Sequence, residues 1–441
     1  MGLAAPQLGR PEGQSLATLD RARSAIAYGS LIALTSAGVA ISVAGADRYS
    51  AIVKGSKRGL PDWIVGPLGS VTSLHLPFDK FFLVVGVMCA AYLLVLALGG
   101  RVRARWLFAA IVVLHVAVVL APPLLSSDVF NYIDYGRLGA LHGLDPYSHG
   151  PIAAPLDPSY RFTGWRHAAS AYGPLFTAMT YPLAHVSVAA ALWALKGLAA
   201  VASLGCVALV WRIAGQMGRS QRAAVAMFGL NPLLILWTVG GAHNDILMLL
   251  LMLAGVSLAL AARESLGGAA LVAAAAVKAT AGLAIPFLLI ASPRRWRLLA
   301  GVALAGAGVL ALSAAVFPGS PFEVVSVLAR QHELVGYNSV PKELALLFGF
   351  PGVTPGVRLV SLVALGAALV WIAWRVWRGF DWVAATGWAL VATVVTATWF
   401  LAWYAVWPLA FAAVSRDRRL MVATLILQAF WLANHVPHFT L

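Results

Sequence analysis

The stretch Phe81–Leu98 reads FFLVVGVMCAAYLLVLAL, without a charged side chain and without a proline. As an α-helix it is about 27 Å long at ~1.5 Å per residue, close to the hydrocarbon thickness of a bilayer. Its apolar residues run on continuously instead of alternating with polar ones, so it does not read as a strand of a membrane barrel. The same pattern recurs outward from it in both directions: Ser24 to Gly45, Trp106 to Leu124, Val188 to Trp211, Ala223 to Val239, Ile246 to Ala262, Leu298 to Phe317, Val357 to Trp374, Trp382 to Thr398 and Leu420 to Asn434. Composition agrees, with 61% hydrophobic and 11% charged residues and a mean hydropathy of +0.84. Soluble domains carry roughly a quarter charged residues and would have nowhere to put so much apolar surface. The expectation is an all-α polytopic membrane bundle of about 11–13 transmembrane helices, with external loops that carry short juxtamembrane helices.

Charge then orients the bundle. The 31 Lys and Arg residues outnumber 16 Asp and Glu, an excess that in a soluble chain would suggest nucleic-acid binding. Here the arginines sit in the short connections between apolar runs: Arg101, Arg103 and Arg105; Arg212, Arg219 and Arg222; Arg294, Arg295 and Arg297; Arg375 and Arg378; Arg416, Arg418 and Arg419. That is the bias of cytoplasmic loops in a plasma-membrane protein, so no nucleic-acid partner is expected. Two segments fit a simple crossing poorly. Gly267 to Ile290 has cytoplasmic-type flanks at both ends, which a hairpin turning near Lys278 and returning through Pro286 satisfies. Phe400 to Val414 needs a turn near Trp403 and Tyr404 before a short descending helix. The amino terminus is then inside and the carboxyl terminus outside.

This leaves three long outward segments, Ala46 to Lys80, Leu125 to Ser187 and Pro318 to Gly356, so chemistry is expected on the external face. The apolar run ending at Ala44-Gly45-Ala46 is long enough to be a retained span and not a cleaved signal. Cys89 and Cys206 lie within apolar runs and imply neither a disulfide nor a metal site. No internal repeat or low-complexity tail is evident.

The richest polar stretch is Ser126-Ser127-Asp128-Val129-Phe130-Asn131-Tyr132-Ile133-Asp134-Tyr135-Gly136-Arg137. Pro122 and Pro123 end the preceding span, and a new helix starts here. Asp128 reads either as its cap or as a catalytic base at the membrane surface, with Tyr132, Asp134 and Arg137 nearby. Asp145-Pro146-Tyr147 reads as a turn, and Tyr172 of Tyr172-Gly173-Pro174 as an interface anchor that can also contact a ligand. His243-Asn244-Asp245 sits where two spans meet. It reads as turn capping or as part of a site, but one histidine and one aspartate do not make a metal shell. Lys278 is an intramembrane cation, a functional residue by default, suited to a lipid phosphate; its removal is expected to weaken donor use and spare the fold. Lys196, near the outer end of its span, reads as snorkelling to the headgroups. Arg330-Gln331-His332-Glu333 and Lys342-Glu343 read as a solvated face with spare cations.

Taken in order, several elements resemble the GT-C superfamily of membrane glycosyltransferases, and most closely the bacterial polyprenol-phosphate-mannose-dependent mannosyltransferases. These are the Ser127-Asp128-Val129-Phe130-Asn131-Tyr132 run, Gly136-Arg137, Asp145-Pro146-Tyr147, Tyr172-Gly173-Pro174, Asn231-Pro232, Gly241 to Asp245, Val277-Lys278-Ala279-Thr280 with Pro286, and Trp399 through Trp403-Tyr404 to Pro408. The resemblance covers most of the chain after Trp106. It implies one domain over residues 1–441, with two leading spans in 1–105 and a catalytic core in 106–441. The acidic motif here follows the third span and not the first, a departure that the leading spans explain.

The resemblance implies an inverting transferase. It would move a sugar, expected to be mannose, from a polyprenyl-phosphate donor to a hydroxyl of a glycan or glycolipid acceptor on the external face of the plasma membrane. Asp128 matches the family's general base. Lys278, with Arg330 and Lys342 as helpers, falls where the donor phosphate binds. Tyr132, Asp134, Arg137, Tyr172, His243, Asp245, Trp403 and Tyr404 become candidates for sugar or acceptor contacts. No cofactor is expected, and a divalent metal is not indicated. The rival class is a transporter or flippase, which shares the many helices and the broken one near Pro286. It would need its polar residues near the midplane instead of in outer loops.

Overall fold

A computed structural model of the chain describes residues 12–70, 74–317 and 339–435, together with 319, 323, 326 and 327. The regular elements among these residues are all helical, so the chain is an all-α polytopic membrane bundle. It opens with α1 (Glu12–Gly45), α2 (Phe78–Leu98) and α3 (Ala104–Leu120), in which α1 packs along the other two. A loop region follows that carries α4 (Asp128–His142) and α5 (Pro174–Thr180). Next come α6 (Val188–Gln216), α7 (Gln221–Gly229), α8 (Asp245–Leu260), α9 (Glu264–Ala275) and α10 (Ala284–Ala291). The remainder is α11 (Arg295–Val316), α12 (Val340–Leu347), α13 (Pro355–Trp377), α14 (Trp382–Thr396), α15 (Trp407–Val414) and α16 (Arg418–Ala433).

Five helices, namely α1 from Thr18 onward, α2, α6, α11 and α13, are long and apolar enough to cross a bilayer. The other expected spans are shorter or broken, and the breaks have local causes. Asn231-Pro232 ends α7, and Pro232 removes a backbone donor. The Asn231 side chain repairs the gap by accepting the N–H groups of Leu233 and Leu234, both at 3.1 Å, and donating to Gln428 Oε1 at 2.8 Å. The chain then continues as a π-helical segment, Leu234–Val239. Such repair is what a lipid-exposed or protein-buried backbone requires where water is absent.

The Glu264–Ala291 segment is a hairpin. Its two feet meet: Ser265 donates to the Arg297 carbonyl at 2.8 Å, and Arg294 approaches Glu264 at 3.7 Å and the Ala262 carbonyl at 3.4 Å. Lys278, in extended backbone, stands at the turn between α9 and a 3-10 segment, Ala279–Leu283. The α9 and α11 helices rise side by side from these feet. A Cβ on Gly301 would collide with the Ser265 backbone, so glycine is what permits the close approach. The Phe400–Val414 segment likewise turns through a 3-10 segment, Ala402–Val406, and then runs as α15.

One expectation is overturned. Lys196 does not snorkel; it is fully buried, and its ammonium donates to three main-chain carbonyls, those of Val118, Pro122 and Gly240. Orphan carbonyls at the broken end of α3 offer it better acceptors than the distant headgroups.

Candidate active site

The α4 helix begins at Asp128, directly after the broken end of α3. Ser127, the residue before it, makes no capping bond with its side chain, and the Asp128 N–H is taken by Ser126 Oγ at 3.2 Å. Among the described residues no main-chain N–H donates to the Asp128 carboxylate, so it is not spent on capping. Its Oδ1 accepts the indole N–H of Trp165 at 3.1 Å, and its Oδ2 lies 3.7 Å from His243 Nδ1. Burial pushes the Asp128 carboxyl above the usual range; the Trp165 bond, the field of Lys54, the Ser126 hydroxyl and the field of Lys278 pull it back only in part.

His243 follows the Gly240-Gly241 turn and is 1% exposed. Its ring stacks on Trp403, with centroids 3.5 Å apart and planes 22° off parallel. Nδ1 also sits 3.4 Å from the Tyr132 hydroxyl, while Nε2 has no hydrogen-bond partner among the described residues. Burial, aided by the fields of Lys278 and Lys54, pushes this imidazole well below its ordinary value and keeps it neutral. Tyr132 meets Tyr172 edge to face at 4.9 Å.

Asp245 begins α8 and is 1% exposed. Its Oδ1 accepts from Lys278 Nζ at 2.7 Å and from the Trp407 indole N–H at 2.6 Å, and its Oδ2 has no hydrogen-bond partner among the described residues. The Lys278 ammonium also lies over the rings of Tyr404 and Trp407, 4.9 and 5.1 Å from their centroids. The hairpin tip is held by the Tyr172-Gly173-Pro174 element. Gly173 N–H donates to the Val277 carbonyl at 2.9 Å, Leu175 N–H donates to that of Ala276 at 3.0 Å, and a Cβ on Gly173 would strike the Ala276 backbone.

These groups share one cavity of about 610 Å³, lined among others by Asp128, Tyr132, Tyr172, Asp245, Lys278, Trp403 and Tyr404. His243 stands behind Asp128 and Trp403 and not on the wall. One side of the cavity is largely apolar, made by Leu359, Leu362 and Leu365 of α13, with Arg358 and Ser361 of the same helix beside them. Only 6% of that helix's most apolar window is buried, the exposure expected of a helix that meets lipid.

Not every expected residue is here. Asp134 and Arg137 do not line the cavity. Asp134 accepts a hydrogen bond from the Ser159 hydroxyl, and burial pushes its carboxyl up to about 7. Arg137 grips both oxygens of Asp157 at 2.8 and 2.9 Å and the Ala184 carbonyl at 3.0 Å, clamping the loop that follows α4. Both residues sit at helical positions turned away from Asp128, so their expected acceptor contacts give way to loop packing. Lys342, whose N–H is taken by the Ser339 cap, is on α12 and off the cavity wall. Arg330 lies outside the described residues. Asp145 accepts the Tyr147 N–H at 2.9 Å, as turn chemistry requires.

Sequence reading missed Trp165, Trp407 and Arg358, all on the cavity wall. Only Arg358 carried a signal: it sits at the opposite end of its span from Arg375 and Arg378, against the charge bias. Among the described residues no cluster of three or more His, Cys, Asp or Glu side chains could hold a metal.

Residues 31–294 match the family described as alpha-(1->6)-mannopyranosyltransferase, N-terminal domain. The chain is 31% identical to the alpha-(1->6)-mannopyranosyltransferase A of Mycobacterium tuberculosis over 383 residues, 79% of this chain and 73% of that relative. A probable alpha-(1->6)-mannopyranosyltransferase of Mycolicibacterium smegmatis is 28% identical over 387 residues, 74% of this chain and 69% of the relative. No solved structure matches. The matched stretch takes in the latter part of the first leading span, the whole of the second and the residues from Asp128 to Lys278. On the extent of these matches, the chain belongs to the bacterial alpha-(1->6)-mannopyranosyltransferase family of GT-C membrane glycosyltransferases.

Proposed function

We propose that the chain transfers mannose from a polyprenyl-phosphate donor to a hydroxyl of a glycan or glycolipid acceptor, with inversion, at the external face of the plasma membrane. The observation that carries this reading is the cavity itself. A buried, unneutralised carboxylate (Asp128) and a cation (Lys278) share it, and its third side is an apolar wall on a lipid-facing helix. That combination suits a substrate with a sugar, a phosphate and a long hydrocarbon tail.

The chemistry asks for little more. The acceptor oxygen attacks the anomeric carbon as the bond from that carbon to the phosphate oxygen breaks, and the polyprenyl phosphate leaves with the electron pair. Asp128 takes the acceptor proton. Lys278, beside Asp245, offsets the charge growing on the phosphate. Neutral His243, with the Tyr132 hydroxyl at its Nδ1, stands beside Asp128 without neutralising it. Asp245 Oδ2 is available to a sugar hydroxyl, and the rings of Trp403, Tyr404 and Tyr172 offer apolar faces for the sugar. If the product linkage is the alpha-(1->6) bond named for the relatives, inversion requires a β-linked donor. The connection with Arg101, Arg103 and Arg105 lies at the far end of α3 from Asp128, about 25 Å away at ~1.5 Å per residue, which is the ground for the external assignment.

The test is purified protein in lipid nanodiscs with a β-linked polyprenyl-phosphate mannose and a mannoside acceptor, with product anomer and linkage read by NMR. Proteoliposomes loaded with the same donor serve as the arm for lipid movement. Donor movement without a new glycosidic bond would replace this reading with a flippase.

A further inference from the structure

The cavity depends on two loops being brought together, and neither loop is held by regular structure. One runs from the end of α3 to Asp128 and the other from the π-helical segment to His243. Each contains a non-glycine residue in the left-handed region, Leu125 at φ 61° and Ala242 at φ 55°. Such backbone is strained and persists only where surrounding bonds fix it.

Lys196 supplies bonds at this junction. It is 0% exposed and reaches from α6 between the two loops. Its ammonium donates to the Val118 carbonyl at 2.9 Å, the Gly240 carbonyl at 3.2 Å and the Pro122 carbonyl at 3.3 Å. An ammonium has three N–H donors, and all three are used. The Val118 carbonyl is free because its helical partner would be the N–H of residue 122, which is proline. Gly240 O also accepts the Leu124 N–H at 3.0 Å, so one carbonyl joins Lys196, the Asp128 loop and the His243 loop. A cation at the carbonyl end of α3 is favoured by the helix dipole as well.

We propose that Lys196 is a positioning residue for the transfer reaction: by cross-linking the two loops it sets the 3.7 Å approach of Asp128 Oδ2 to His243 Nδ1. Lys196 does not line the cavity, so it acts through the loops and not on the reacting atoms. This proposal rests on the reading of Asp128 as the base.

The test uses Lys196→Gln and Pro122→Ala, each checked for folding by size exclusion and thermal unfolding in detergent. Pro122→Ala leaves Lys196 in place but gives Val118 a competing helical donor. Mannosyl transfer should show kcat lowered about ten- to hundredfold, as expected for an ångström-scale misplacement, with KM for the donor nearly unchanged. Lys196→Gln should add almost nothing on top of Asp128→Asn, because it acts through that carboxylate. An arm independent of activity places Asp128→Cys and His243→Cys in a Cys89→Ala, Cys206→Ala background and measures bridging by a short bifunctional thiol reagent. Bridging should fall severalfold when Lys196→Gln is added. Folded variants with unchanged kcat and unchanged bridging would overturn the proposal. If Lys196→Gln does not fold, Pro122→Ala decides it by the same two readouts. If wild-type protein transfers no mannose, the functional reading fails while the bridging arm still decides the role of Lys196.

Discussion

Asp128 and Asp245 are both buried aspartates at the first residue of a helix, and both line the same cavity. Their surroundings differ completely. Asp245 is held by the Lys278 ammonium at 2.7 Å and the Trp407 indole at 2.6 Å, a neutralised pair. Asp128 receives one indole N–H, and the only basic side chain within 4 Å of it, among the described residues, is the neutral His243. Helix dipoles favour the anion in both cases, so the dipole does not distinguish them. The distinguishing factor is the counter-charge. A carboxylate without one is a stronger base, and it costs stability that a carboxylate serving only the fold would not be expected to cost.

The largest expected effect follows from that difference. Asp128→Asn keeps the shape and can still accept the Trp165 N–H, but it cannot take a proton as a carboxylate does. Turnover should fall by about 10²–10⁴-fold with little change in donor affinity. Because burial raises the Asp128 pKa, the acid limb of wild-type kcat/KM should lie above the ordinary aspartate range. The folded-state pKa is raised, so above it the ionised carboxylate weighs against the folded state. Asp128→Asn should accordingly melt no lower than wild type at neutral pH. A silent substitution would return Asp128 to a structural role.

Asp245 should behave in the opposite way. Lys278→Ala leaves a carboxylate at 1% exposure without its cation, and losing one partner of a buried pair costs ~3–5 kcal/mol. On this ground, removing Lys278 is expected to cost the fold as well as donor use. Lys278→Met combined with Asp245→Asn should recover most of the loss, because neither charge is then stranded. Thermal unfolding of Lys278→Met, Asp245→Asn and the double in detergent measures the coupling. Transfer should remain impaired in the double variant if Lys278 also serves the phosphate. Additive melting shifts would show that the pair is not the unit described here.

What could be read in the sequence divides along the same line. Continuous apolar runs such as Phe81–Leu98 specify helices by themselves, and the hairpin around Lys278 followed from the charge on its two flanks. Asp128 and Lys278 stood out because polar groups beside apolar runs are costly. Their partners did not stand out. Trp165 and Trp407 are common aromatic residues whose role depends on contacts 37 and 162 residues away. The misreading of Lys196 has the same origin: its acceptors are carbonyls, which carry no mark in a sequence, and they lie 44 to 78 residues away. Asp134 and Arg137 were drawn toward the site by proximity along the chain, but a helix turns neighbours to different faces.

Asp134 gives the smallest expected effect and the sharpest control. It is a third buried aspartate, on the same helix as Asp128 but off the cavity, and it takes the Ser159 hydroxyl that Asp157 also accepts. Burial raises Asp134 to about 7. For Asp157 burial acts in the same direction, but Arg137, His142 and Ser159 outweigh it and hold that carboxyl well below the usual range. The two therefore titrate on opposite sides of an ordinary aspartate. For Asp134 the folded pKa exceeds the unfolded one of about 3.9. Its favourable contribution is thus complete below the unfolded value and is lost as pH rises through about 7. For Asp157 the contribution is present above the unfolded value and lost as pH falls below it. Asp134→Asn should flatten the decline in melting temperature between about pH 4 and 7 while leaving transfer near wild type, and Asp157→Asn should lower stability at neutral pH by freeing Arg137. Melting curves across that range, run beside transfer assays, separate loop stability from catalysis. Loss of transfer in a well-folded Asp134→Asn protein, with Asp128→Asn active, would move the base from the first residue of α4 to the seventh and reverse the comparison.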